Sequence, residues 1–266
     1  MFGKNCTLAT WAAAGACGVM LAAASAEAAG WGSLKGRFVY EGQDEGGDVK
    51  VTKDVEFCSK TPLADETVEV GDGSGLRNLF VYLYVKRGAK VEVHPDYAAA
   101  EATPLTLDNK ACRFEPHAMT LWTKHPLEIR NSDGGVGHNT NAQKLVANPK
   151  FNEQISNDRP TVKKFEKSEP LPTEVACNVH PWMTAILLIR DNPYMAVSGA
   201  DGSFEIKNVP AGKQEFVLWH EAKGFVRDVK LKTSATDRKG QVELTIPEGG
   251  VLDLGDIKVA PAMLGL

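Results

Sequence analysis

The run Leu79-Phe80-Val81-Tyr82-Leu83-Tyr84-Val85 contains only β-branched, aromatic and leucine residues. Such a run reads as a strand covered on both of its faces. Shorter strand patterns recur along the rest of the chain, separated by Gly, Pro, Asn and Asp clusters. They include Ser33–Tyr40, Val51–Phe57, Val68–Val70, Leu105–Leu107, Leu127–Arg130, Thr173–Ala176, Ala185–Ile189, Tyr194–Val197, Phe204–Ile206, Glu215–Trp219, Val226–Leu231, Val242–Ile246 and Val251–Val259. Helix signals are scarce, with one helical turn expected over Ala98–Ala102. The segment Asn148–Pro172 is polar and weakly patterned, and Phe151, Ile155, Val162 and Phe165 are its candidate core contacts. The expected fold class is therefore all-β, with short strands at sandwich spacing.

The N-terminus reads as a secretory signal peptide over residues 1–28. Lys4 is the only charge before Glu27, Leu8–Ala24 is apolar and small, and Ala26-Glu27-Ala28 fits the small-x-small cleavage pattern. Ala14-Gly15-Ala16-Cys17 lacks the bulky residue that opens a lipoprotein site, so lipid anchoring at Cys17 is not expected. No later stretch could span a bilayer, and the expected location is periplasmic or secreted. Lys4 and Glu27 cancel, so the net charge of −4 survives cleavage. Without a basic run, nucleic acid is not an expected partner. The remaining length suits one or two domains.

One stretch concentrates the chemistry. Cys177-Asn178-Val179-His180-Pro181-Trp182-Met183 carries a thiol, an imidazole and a thioether between two strand patterns. A second imidazole, His138, follows the strand Leu127–Arg130 and the turn Asn131-Ser132-Asp133-Gly134-Gly135. Thiolate and thioether suit Cu(I), and imidazole suits both oxidation states, so two histidines, a cysteine and a methionine form a mononuclear electron-transfer copper set. Zinc on the same residues is the rival metal, although methionine suits it poorly. A degenerate, metal-free loop is the remaining alternative. Cys58, Cys112 and Cys177 follow the leader. If Cys177 binds metal, Cys58 and Cys112 are left as a disulfide pair, which export permits; two free buried thiols are the alternative.

The C-x-x-H-x-x-M loop resembles that of the cupredoxins, the small blue copper proteins. It is most similar to the amicyanin version, with proline after the histidine and an aromatic residue before the methionine. Leu127–Asp133 leading to His138-Asn139 likewise resembles the cupredoxin strand that delivers the first histidine. The resemblance implies a Greek-key β-sandwich over residues 104–190 holding one type 1 copper. His138, Cys177 and His180 would be equatorial ligands and Met183 axial. Asn139 would tie the two ligand loops together. His180 would be the outer ligand with its ring edge near the surface. Pro181 and Trp182 would form a docking patch for a redox partner such as a cytochrome or dehydrogenase, ordinary core packing being the alternative for Trp182. The polar linker between His138 and Cys177, and His125 at a position where many cupredoxins have a turn glycine, depart from the family pattern.

The flanks carry a second resemblance. Ala200–Gly212 with Phe216–Trp219 is similar to the second half of a carboxypeptidase-regulatory-like, or prealbumin-like, β-sandwich, and Leu34–Tyr40 with Leu79–Val85 to its first half. This implies a discontinuous sandwich, 31–103 and 191–260, around the 104–190 insert. Two consecutive domains are the competing arrangement.

His94 and His125 precede prolines and read as turn residues; His117 and His220 read as structural. No H-x-H pair, C-x-x-C-H or G-x-S-x-G occurs, and no nucleophile–base set can be read from the chain, so no catalytic residue is assigned. The expected function is an exported electron carrier rather than an enzyme. The alternative is an extracytoplasmic β-sandwich scaffold with a vestigial copper site. A copper enzyme is a third reading, and would need an open metal position.

Overall fold

The computed structural model describes residues 1–3, 30–43, 46–232 and 234–266. The expected leader and Cys17 lie almost entirely outside them. Among the described residues, four β-sheets stack in succession. The first has Trp31–Tyr40 at its centre, antiparallel to Ser203–Pro210 and parallel to Val251–Val259. The second runs Met195–Val197, Phe80–Leu83, Gly212–His220, Gly224–Phe225, with Gln241–Ile246 also pairing Gly212–His220. The third runs Ala118–Trp122, Thr184–Arg190, Thr173–Ala176, His138–Asn141, Asn152–Ile155. The fourth runs Arg113–Glu115, Leu105–Lys110, Leu127–Asn131, Thr161–Lys163. The chain is an all-β sandwich fold.

Period-2 alternation explains the stack. In Phe80–Leu83, Val81 and Leu83 face the first sheet and join a core with Leu34, Phe38, Phe204 and Ile206. Phe80 and Tyr82 face the other way and meet Ala118, Ile186 and Leu188 of the third sheet. In Thr184–Arg190, Ile186 and Leu188 point to the second sheet. Ala185, Leu187 and Ile189 point to the fourth, against Leu107, Phe114, Leu127 and Ile129. Both strands are thus covered on both faces, which is why their sequences read as unbroken apolar runs. Arg190 stacks over the Tyr82 ring at 4.3 Å and adds a cation–π contact between the middle sheets.

Several local expectations change. Val51–Phe57 is not a strand: Val55–Cys58 is one helical turn preceded by Asp54 in the left-handed conformation. A β-strand cannot continue through such a residue. The segment instead packs Val49, Val51, Phe57, Cys58 and Leu63 against the core between the third and fourth sheets. Val68–Val70 contributes a single bridge, Val70 to Leu76. The expected turn at Ala98–Ala102 is a 3-10 helix at Pro95–Ala100. Val226–Leu231 is irregular, yet it buries Val226 and Val229. In the polar linker, Ile155 and Phe165 are buried while Val162 is 53% exposed, because it sits on the edge strand of the fourth sheet. Buried Glu169 organises this linker by accepting from the backbone N–H groups of Val146, Ala147 and Asn148.

Leu188 is fully buried between the second and third sheets. Leu188→Ala is expected to cost about 2–5 kcal/mol through lost burial and the cavity left behind. Urea unfolding would read this as a lower midpoint at unchanged slope.

Candidate metal centre

The centre forms where two loops of the third sheet meet. Thr173–Ala176 ends on Cys177, and the chain turns and returns as Thr184–Arg190. Two backbone bonds close the turn: Cys177 N–H donates to the Met183 carbonyl at 3.0 Å, and Met183 N–H to the His180 carbonyl at 2.9 Å. These fix the seven-residue spacing and place Cys177, His180 and Met183 on one tight loop. Both histidines and Cys177 are buried, as is Met183 at 1% exposure. His138 opens the neighbouring strand, His138–Asn141.

The donor atoms of His138, Cys177 and His180 lie within 4.8 Å of one another. Each histidine turns Nδ1 toward the sulfur, at 3.9 Å for His138 and 3.8 Å for His180. Each gives its Nε2 to a carboxylate, Asp133 at 2.9 Å and Asp54 at 2.8 Å. In a neutral imidazole a carboxylate on Nε2 keeps the proton there and leaves the electron pair on Nδ1; a metal at His138 would displace the second proton that this ring otherwise holds up to about pH 9. Two imidazole nitrogens and a sulfur therefore converge on one point, and this set fits a copper ion. The rings stand 4.6 Å apart, tilted by 48°.

Asn139 bonds to both loops. Its Oδ1 accepts from Asn178 N–H at 2.8 Å and lies 3.4 Å from Cys177 Sγ, while its Nδ2 donates to Asn152 at 2.7 Å. Asn141 adds a bond to the Asn178 side chain at 2.9 Å.

Two features differ from expectation. His180 has no exposed ring edge: it is 0% exposed, covered by Asp54 and by Trp182, whose ring meets it edge-on at 5.2 Å. Trp182 is half-buried against the core, with its indole N–H donating to the Cys112 carbonyl at 2.9 Å. Of the expected Pro181–Trp182 patch, Pro181 is the exposed member. As expected, Cys58 and Cys112 form a disulfide, and it lies beside the cluster, its sulfurs within 4.8 Å of a His180 donor atom.

Asp133 and Asp54 were not singled out by the sequence. Asp133 sits in a run that reads simply as a turn, although an acid five residues before His138 was a usable signal. Asp54 is 126 positions from His180, and nothing local announces it. The other histidines stay outside the cluster. His117 holds the Thr184 carbonyl and Glu221, His125 the Thr103 carbonyl, and His94 accepts from Asp96 N–H; His220 is buried.

Electrostatics favour a thiolate. Burial pushes the Cys177 thiol up, but the His138 ring, the Asn139 and His180 backbone and the His180 ring outweigh it, bringing it to about 6. Burial pushes His138 down, while the Asp133 hydrogen bond and the Cys177 sulfur raise it to about 9. Burial also raises Asp133, and bonds from His138 and from the Cys112 and Ala111 N–H groups bring it below its ordinary value.

No protein-family model matches the sequence, and no curated protein matches it. Among solved structures, a copper-containing nitrite reductase from Thermus scotoductus SA-01 aligns with 40% of this chain and 24% of its own, at 18% identity and TM-score 0.31. The chain thus spans about a quarter of that enzyme. Amicyanin from Paracoccus versutus aligns over 41% of this chain and 97% of its own, at 15% identity and TM-score 0.28.

In the metal-free protein, the ultraviolet thiolate absorbance that Cys177→Ser removes should titrate with a midpoint of about 6, against about 8.5 for an ordinary thiol. Asp133→Asn should move that midpoint upward, because the His138 cation beside the thiolate loses its counter-charge.

Proposed function

We propose that this chain is an exported cupredoxin-type electron carrier holding one type 1 copper at His138, Cys177, His180 and Met183. The observation that carries the reading is the paired orientation of the histidines. Both present Nδ1 to the Cys177 sulfur, and both fix Nε2 on a carboxylate. When bound, copper supplies a centre that gains and releases one electron.

The chain's own residues do the rest. Asp133 and Asp54 hold the imidazoles in one tautomer and one orientation. Asn139 and the Cys177–Met183 backbone bond hold the two loops in register. A donor set held this way moves little when the charge at its centre changes, which keeps reorganisation small. Cys177 arrives at neutral pH largely as thiolate, ready to bind without an added base. All three donors are buried, which supports the carrier reading. Val179 and Pro181 are exposed on either side of His180 in the sequence and offer an apolar surface to a redox protein such as a cytochrome or dehydrogenase.

Among the described residues no helix is long and apolar enough to cross a membrane. The disulfide is compatible with an oxidising compartment. The leader pattern at residues 1–28 supports the reading of export to the periplasm or beyond.

The test is substitution at the two sulfurs. Cys177→Ser should abolish the intense thiolate-to-copper absorption. Met183→Leu should leave copper bound and raise the reduction potential, read by voltammetry. A zinc site would show neither effect, and a vestigial site would take up no copper in the parent protein.

A further inference from the structure

Asp54 is in an unusual state for its position. It stands at the N-cap of the Val55–Cys58 turn, where an aspartate normally accepts from the first N–H groups of its own helix. Here its side chain makes no capping bond, and its backbone is left-handed, with φ 44° and ψ 44°. That conformation is strained for a residue with a β-carbon, and aspartate tolerates it best where its side chain gains a hydrogen bond. What the side chain does instead is bond His180 Nε2 at 2.8 Å. The backbone departs from its preferred state and the helix loses its cap, and the product of both is one contact to the outer histidine. An outlier of this kind points from geometry to function.

The segment that carries Asp54 is anchored four residues on. Cys58 is bonded to Cys112, and both are buried. Cys112 belongs to the other histidine's support. Ala111 and Cys112 are consecutive left-handed residues, φ 50° and 55°. Their N–H groups converge on the Asp133 carboxylate at 2.6 and 2.8 Å, and Asp133 holds His138. Two successive N–H groups aimed at one anion form a backbone nest. The Cys112 carbonyl also accepts the Trp182 indole that lies against His180. One disulfide therefore joins the two carboxylate supports, although Asp54 comes from a segment outside both metal-site sheets.

We propose that Asp54 is a positioning residue for His180, and that the Cys58–Cys112 disulfide acts through it by clamping the Asp54–Cys58 turn over the outer imidazole. Asp54 holds the Nε2–H tautomer, keeps Nδ1 aimed at the Cys177 sulfur and closes the side of the centre from which metal would exchange. The assignment rests on the copper reading for its consequence, but its geometry can be tested without metal.

The experiment follows the histidine ring N–H and ¹⁵N signals of the metal-free full chain by NMR, then measures copper partition against a chromogenic chelator. The set comprises the parent, Asp54→Ala, Asp54→Glu and the Cys58→Ala/Cys112→Ala pair. In the parent, His180 should show a slowly exchanging Nε2–H and an unprotonated Nδ1. Asp54→Ala should lose that protection, the cysteine pair should lose much of it, and Asp54→Glu should regain part of it. His138, held by Asp133, should be unchanged in both Asp54 variants, a selectivity that general loosening of the fold would not give. Copper affinity should fall about 10–100-fold in Asp54→Ala, with faster release. A His180 N–H equally protected in Asp54→Ala, or copper affinity and release equal to the parent's, overturns the proposal. If the cysteine pair fails to fold, the Asp54 variants, which keep the disulfide, still decide. If the parent takes up no copper, the function reading fails, and the ring N–H signals still decide what Asp54 does.

Discussion

The buried Asp133 carboxylate is the interaction on which the centre's architecture depends. At 4% exposure, an unpaired carboxylate would be destabilising by several kcal/mol. Asp133 meets that demand with the Ala111 and Cys112 N–H groups and the His138 ring. Meeting it fixes three things together. The fourth sheet's hairpin at residues 110–113 is tied to the loop before His138. His138 is oriented with Nδ1 inward. Cys112 is placed where Cys58 can reach it. From the disulfide the constraint passes to Asp54 and so to His180.

The rest of the molecule holds this arrangement rigid. The third sheet supplies His138 and Cys177 from adjacent strands, and its longest strand, Thr184–Arg190, is covered on both faces. One face packs the site's own core and the other packs the second sheet, so the floor beneath the loop cannot move without disturbing two apolar layers. Side chains locked by packing and by outer hydrogen bonds are what a preorganised centre requires. Leu105–Arg190 builds the third and fourth sheets, while segments before and after it build the first and second. The exception is 49–63, which leaves the flanks to pack beside the metal-site core and brings Asp54 with it.

The apolar strand runs announced the β class because two-sided burial leaves a compositional trace, as in Phe80–Leu83 and Ala185–Ile189; the expected run past Leu83 ends at exposed Tyr84. The Cys177–Met183 loop was legible because its chemistry is local: three donor types must fall within one turn, and spacing alone shows it. Long-range closure left no such trace. Val51–Phe57 alternates like a strand, and only the fold shows that Asp54 breaks it to reach a histidine far along the chain. The exposed edge of His180, inferred by resemblance, failed for the same reason, since the covering segment lies outside the stretch that carried the resemblance. Val162 misled because a β-branched residue on an edge strand looks, in sequence, like one in a core.

The proposed function requires His138, Cys177 and His180 to bind one copper together. X-ray absorption of the protein loaded with one equivalent of copper tests it most directly, because it counts sulfur and imidazole neighbours without reference to activity. One short copper–sulfur contact and two imidazole nitrogens are expected, with the short sulfur contact absent in Cys177→Ser. A first shell of oxygen and nitrogen alone, unchanged by that substitution, would contradict it.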